Sequence, residues 1–132
     1  MLPYLLTRFV LKRVARFIYR HSLYNRHFIT PSLIQEAITP FSSLEQKRNL
    51  VCFLDGIDLQ EINNIDRLLP ILSHPTRILW GEHDGWLSLN HANRLVKRIP
   101  NCTLVMIPSA GHMPHFEKPK EVANEIDAFL SE

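Results

Sequence analysis

Only two cysteines, Cys52 and Cys102, occur in 132 residues. Each stands in an apolar setting without metal-site spacing, so both are predicted to be buried thiols in a reducing, cytoplasmic compartment, with neither a bridge nor a zinc site. No run of about 18 apolar residues occurs, so no membrane span is expected. The opening MLPYLLTRFVLKRVARF carries its charges inside the apolar pattern, whereas an ordinary secretory signal places them ahead of it. A net charge of +2 comes without the dense basic stripe that phosphate tracking needs, which sets DNA and RNA aside. Internal repeats and low-complexity segments are absent too. What remains is the profile of one ordinary soluble domain, 45% hydrophobic and 21% charged, large enough for a real core.

The first half reads as helices. Leu2, Leu5, Leu6, Phe9, Val10, Val14, Phe17 and Ile18 recur at three- and four-residue steps, with Arg8, Lys12, Arg13, Arg16 and Arg20 on other faces, which predicts one amphipathic helix. Thr30 before Pro31 is a helix start, threonine as N-cap and proline in the first turn, and Pro40 closes that helix. Ser43 and Gln46 have capping-box spacing ahead of NLVCFLDG, where Gly56 is the expected stop. A short helix is expected over INNIDRLLP, residues 62–70, until Pro70 breaks it.

After Ser73 the pattern changes to strand, helix, strand, helix. TRILWG (Thr76 to Gly81) and CTLVMIP (Cys102 to Pro108) are short, apolar and branched; between them Leu89, Ala92, Leu95, Val96 and Ile99 have helical spacing. This is a βαβ unit with parallel strands, so the fold class is α/β. A closing helix from Pro119 should turn Val122, Ala123, Ile126, Phe129 and Leu130 inward.

In parallel sheets, functional groups gather just beyond the carboxyl ends of the strands. GEHD follows the first strand and SAGHMPH the second, which brings Asp84 and His112 to neighbouring strand ends. A carboxylate bound to an imidazole N–H fixes the tautomer, orients the ring and stabilises the imidazolium formed when histidine accepts a proton. Spacing alone leaves open whether the two meet or stand apart as a surface aspartate and a loop histidine.

The stretch LLPILSHPTRILWGEHDGWLSLNHANRLVKRIPNCTLVMIPSAGHMPHFEKPKEVANEIDAFL resembles the C-terminal half of an α/β-hydrolase. The likeness is greatest to the lid-bearing group that includes meta-cleavage-product hydrolases, esterases, epoxide hydrolases and haloalkane dehalogenases. The resemblance places the acid of the G-x-x-D turn on Asp84 and the base of the G-H pair on His112. It implies a helical lid over residues 1–70, where ITPSLIQEAITPF is similar to a common lid helix, and the last two sheet strands in a core segment over 71–132. Catalysis of this type requires no cofactor and no metal. The substrate it implies is a small organic molecule, with an ester or C–C bond cleaved.

The departures from the family matter as much. The nucleophile elbow G-x-S-x-G does not occur among the four glycines, Gly56, Gly81, Gly85 and Gly111, and neither does an oxyanion loop. Gly81 and Gly85 have elbow spacing, but His83 stands between them at the acid turn. No serine or cysteine has an elbow context. Trp80 reads as strand core; Trp86, Met113 and Phe116 read either as packing or as the lining of an apolar substrate pocket under the lid. His83 and His115 read as neighbours of the pair. The basic first helix, with no acid before Glu36, fits a lid helix with a solvated basic face as well as it fits an anionic membrane surface or a transit-like segment, and the lid reading is preferred because the resemblance continues directly from it. Two readings stand: a hydrolase segment completed by sequence outside this chain, or a non-catalytic interaction module that keeps the fold. In either, the edge of TRILWG is left unpaired and invites self-association.

Overall fold

The computed structural model describes residues 2–56 and 65–132, the side chains of 2–7, 51, 53 and 54 excepted. Helix α1 (Leu2–Ser22) runs along the first half. A 3-10 turn, Arg26–Phe28, follows it, capped by Asn25, whose side chain accepts the His27 N–H at 3.0 Å. Helix α2 (Pro31–Ile38) starts where the sequence says it should: Thr30 Oγ1 accepts the Leu33 N–H at 3.2 Å and Pro31 occupies the first turn. It packs on α1 and buries Ile34 and Ile38, then ends in the 3-10 turn Thr39–Phe41 that holds Pro40.

Helix α3 (Leu44–Asp55) opens on the expected capping box. The Gln46 N–H donates to Ser43 Oγ at 3.1 Å, and the Ser43 N–H to Gln46 Oε1 at 3.0 Å, so two donors that the helix leaves orphaned are satisfied reciprocally. It stops at Gly56, whose N–H reaches Cys52 O at 3.0 Å without the left-handed φ such a stop often has. Of the helix expected over 62–70, residues 62–64 lie outside the described residues; 65–68 are helical and continue into the 3-10 turn Leu69–Ile71, which accommodates Pro70.

The second half is the βαβ unit. Strand β1 (Thr76–Gly81) and strand β2 (Cys102–Ile107) run parallel, Thr76 beside Cys102 through Gly81 beside Ile107. Helix α4 (Leu89–Arg98) crosses between them, burying Ala92 and, just beyond its end, Ile99. Arg94 grips Asp66 with two hydrogen bonds of 2.8 and 2.7 Å. A short helix α5 (Pro114–Glu117) leads into α6 (Pro119–Leu130). The core of this half is Ile107, Ala110 and Val122, with Leu79 and Val105 against it. Arg77 ties β1 to α6: its guanidinium lies 5.1 Å from the Phe129 ring and pairs with Glu125 and Glu132.

Expectations about burial on α6 and at the two cysteines are corrected. On α6 only Val122 is buried, while Ala123, Ile126 and Leu130 are exposed. Periodicity correctly marks one apolar face, but a sheet of two strands among the described residues is too narrow to cover it. Cys52 is exposed and Cys102 only half-buried, because apolar sequence neighbours bury a helix residue only if another element packs on that face. What burial Cys102 has pushes its thiol pKa up. Along α1, Phe9, Val10, Val14, Phe17 and Ile18 stand exposed. The surface totals 10010 Å², against about 7200 Å² for a compact monomer of this mass.

Gly81 marks where the two strand-end turns meet. A Cβ there would lie 1.8 Å from the Gly111 carbonyl oxygen and 2.7 Å from that of Ala110, both backbone atoms. Gly81→Ala is expected to destabilise by about 3 kcal/mol through forced backbone movement, and Ser43→Ala by about 1 kcal/mol through loss of the cap. Urea unfolding midpoints check both.

Candidate active site

Beyond β1 the chain turns at once: the Asp84 N–H donates to Gly81 O at 3.2 Å. Beyond β2, residues 108–113 form a second turn, with Ser109 at φ 53°. Three bonds stitch the turns together. The Glu82 N–H donates to Ile107 O (3.1 Å) and the His83 N–H to Ala110 O (2.9 Å), and the Ser109 N–H donates to Glu82 Oε2 (3.2 Å). Parallel strands in matched register thus deliver both turns to one end of the sheet.

There Asp84 and His112 meet. Asp84 Oδ2 lies 2.8 Å from His112 Nδ1, while Oδ1 accepts the backbone N–H groups of Trp86 (2.8 Å) and Leu87 (3.0 Å). The aspartate side chain is 6% exposed and the histidine 41%. Burial alone pushes the Asp84 carboxyl up, but the hydrogen bond from His112, those from Leu87 and Trp86, and the His112 charge outweigh it and hold the carboxyl below the usual range. An ionised carboxylate only accepts, so the proton between the two sits on Nδ1. Among the described residues Nε2 makes no hydrogen bond. The arrangement is a supported imidazole with its basic nitrogen free to take a proton.

The end of α1 is wedged against this pair. Ser22, buried at 4% exposure, accepts the His112 N–H on its carbonyl at 2.7 Å. Its hydroxyl accepts the Trp86 indole N–H at 2.8 Å and donates to Ile18 O at 2.9 Å. A Cβ on Gly85 would lie 2.4 Å from His21 O, and one on Gly111 2.4 Å from Ser22 O, so glycine at both positions permits the approach of helix to turns. Glu117, buried in α5, accepts the N–H groups of Gly111 and Asn25 at 2.7 Å each. Ser22 and Glu117 went unmarked in the sequence; a buried polar position beside a G-H pair carries no periodic signal.

The other singled-out residues are placed separately. Trp86 is half-exposed and packs edge-on to Phe17, with ring centres 6.4 Å apart. Phe116 lies edge-on to Phe28 at 5.5 Å, and Met113 is half-buried at the start of α5. No ring contact joins Trp86 to Phe116 among the described residues. His83 stacks on Tyr24, 4.3 Å between ring centres, and His115 is exposed. No group of three or more metal-ligating side chains occurs among the described residues.

The fold has known counterparts. Over 92% of its length the chain superposes on 44% of 2-hydroxy-6-oxo-6-phenylhexa-2,4-dienoate hydrolase from Rhodococcus sp. strain RHA1, at 14% identity and TM-score 0.77. A serine hydrolase involved in carbazole degradation matches 87% of the chain, at 22% identity and TM-score 0.69. By sequence the chain is 29% identical to human monoacylglycerol lipase ABHD6 over 79 residues, and 25% identical to Lipase 1 of Psychrobacter immobilis over 116 residues. The chain carries part of an α/β-hydrolase fold. It covers 23% of the length of the human lipase and 36% of the bacterial one. No family model matches it.

A carboxyl whose folded pKa is depressed adds stability above its unfolded value and loses it as pH falls through the folded one. Unfolding free energy should therefore drop between about pH 5 and about pH 2 more steeply in the wild-type chain than in Asp84→Asn, as urea titrations across that window would show.

Proposed function

We propose that these 132 residues form the lid (1–70) and C-terminal core segment (71–132) of an α/β-fold hydrolase that cleaves esters of small organic molecules. The nucleophile is supplied by sequence outside them. The observation that carries this reading is the 2.8 Å bond between Asp84 and His112 Nδ1 at the ends of adjacent parallel strands. Ester cleavage is favoured over C–C cleavage because the relatives matched by sequence are named as lipases.

In the reaction, Nε2 of His112 takes the proton of the nucleophile's hydroxyl as that oxygen attacks the ester carbonyl, and later returns it to the leaving alcohol. Asp84 keeps Nδ1 protonated and stabilises the imidazolium formed between those steps. Two further parts are needed: a nucleophile, and N–H donors for the oxyanion. Neither is assigned to any group in this chain. Trp86, Met113 and Phe116 are then candidates for the apolar wall beside the pair.

The isolated chain is expected to hydrolyse p-nitrophenyl butyrate no faster than buffer, with His112→Ala indistinguishable from wild type. Expressed together with the gene sequence upstream of residue 1, it should turn the ester over, and His112→Ala should lower kcat by about a thousandfold or more. Turnover by the isolated chain that His112→Ala abolishes would place the nucleophile inside it. A longer protein inert toward esters would overturn the ester reading.

An exposed apolar strand edge also recruits partners. Sedimentation velocity on the isolated chain is expected to show species heavier than the 15.4 kDa monomer, and a single monomeric boundary would contradict it.

A further inference from the structure

Glu117 is a buried charged residue, 7% exposed, as Ser22 is a buried polar one. Burying a carboxylate is costly unless the site hydrogen-bonds it. No cation pairs with it among the described residues. Both of its oxygens are instead spent on backbone: Oε2 accepts the Gly111 N–H and Oε1 the Asn25 N–H, each at 2.7 Å, the short distances of charge-assisted bonds. Gly111 is the residue before His112. Asn25 lies three residues past Ser22, whose carbonyl accepts the His112 N–H at 2.7 Å.

We propose that Glu117 is a positioning residue: it clasps the chain just before His112 to the chain just after α1, and so fixes the imidazole against Asp84. This rests on the acid–base reading of the Asp84–His112 pair. The geometry explains why a carboxylate is needed. Two N–H donors converge on one side chain, and only a carboxylate offers two acceptor oxygens and no donor. Glutamine has the same size and shape but turns an NH2 toward one of the two N–H groups. Aspartate keeps the charge and loses a methylene of reach. A side chain that merely filled space would tolerate Glu117→Gln, whereas a two-point clasp would not.

The test reads the ring directly. Nitrogen-15 chemical shifts of the His112 imidazole, measured on the chain itself, report which ring nitrogen carries the proton. Wild type and the control Glu121→Gln, an exposed position on α6, are expected to show the single Nδ1–H tautomer. Glu117→Gln and Glu117→Asp are expected to show a mixture of tautomers while keeping a cooperative thermal transition. Should both fail to fold, Asn25→Pro decides: it removes the backbone donor to Oε1 at a φ of −85°, close to proline's own, together with the side-chain cap on the His27 N–H, which Asn25→Ala removes alone; mixing is expected in Asn25→Pro and not in Asn25→Ala.

In the ester-hydrolysing longer protein, Glu117→Gln should lower kcat about 10- to 100-fold with KM nearly unchanged, the signature of a misplaced base. An unaltered single tautomer in the folded variants, or a change confined to KM, would overturn the proposal. The tautomer is read without turnover, so absence of hydrolysis would count against the proposed function and leave this inference standing.

Discussion

The carbonyl of Ser22 accepts the His112 N–H at 2.7 Å, and the site is arranged around that bond. It ends α1 against the turn that carries the histidine. The same residue's hydroxyl holds the Trp86 indole at 2.8 Å, so the acid turn is anchored to the same helix end. Backbone at Gly85 and Gly111 comes so close to His21 and Ser22 that no side chain fits between. A ring that must present one nitrogen to Asp84 and leave the other free has little use for a mobile support. Here much of the support is main chain packed on main chain, and Glu117 adds a side chain that hydrogen-bonds to both sides.

Much of this was legible in the sequence, for physical reasons. Thr30–Pro31 and Ser43 with Gln46 are local signals, because a cap and its acceptor lie within one turn of each other. The βαβ unit was legible because apolar runs, a helical period and turn residues alternate over short distances. Topology brought Asp84 and His112 to neighbouring strand ends, whatever their separation in sequence, and the family resemblance named them acid and base; spacing alone left open whether they meet.

What escaped was whatever depends on a distant partner. Glu117 looks like one more surface acid, and its role appears only when Asn25 and Gly111 are beside it. The face of α6 looks like core and is largely exposed, since periodicity shows that a face is apolar and is silent about whether anything covers it. Cys52 was misjudged for the same reason. The exposed apolar residues of α1, together with a surface larger than a compact monomer's, describe a segment shaped to lie against more structure than two strands provide. In that setting the depressed Asp84 carboxyl is a local achievement. Three partners within the two turns, His112 and the N–H groups of Trp86 and Leu87, hold it ionised, and none of them belongs to the uncovered faces.

The Glu117 clasp spans 92 residues of chain, from Asn25 to its carboxylate. Local hydrogen bonds suffice to form α1, yet the groups that settle its last turn, Gly111, His112 and Glu117, lie about ninety residues further along the chain. Closing so long a loop costs entropy that no local contact returns beforehand. The union of helix end and strand turns is therefore the least local contact of the site, and its entropic cost is met only by the full set of bonds that close it. His112 is held in place by contacts that exist only when the helix end and the strand turns have come together.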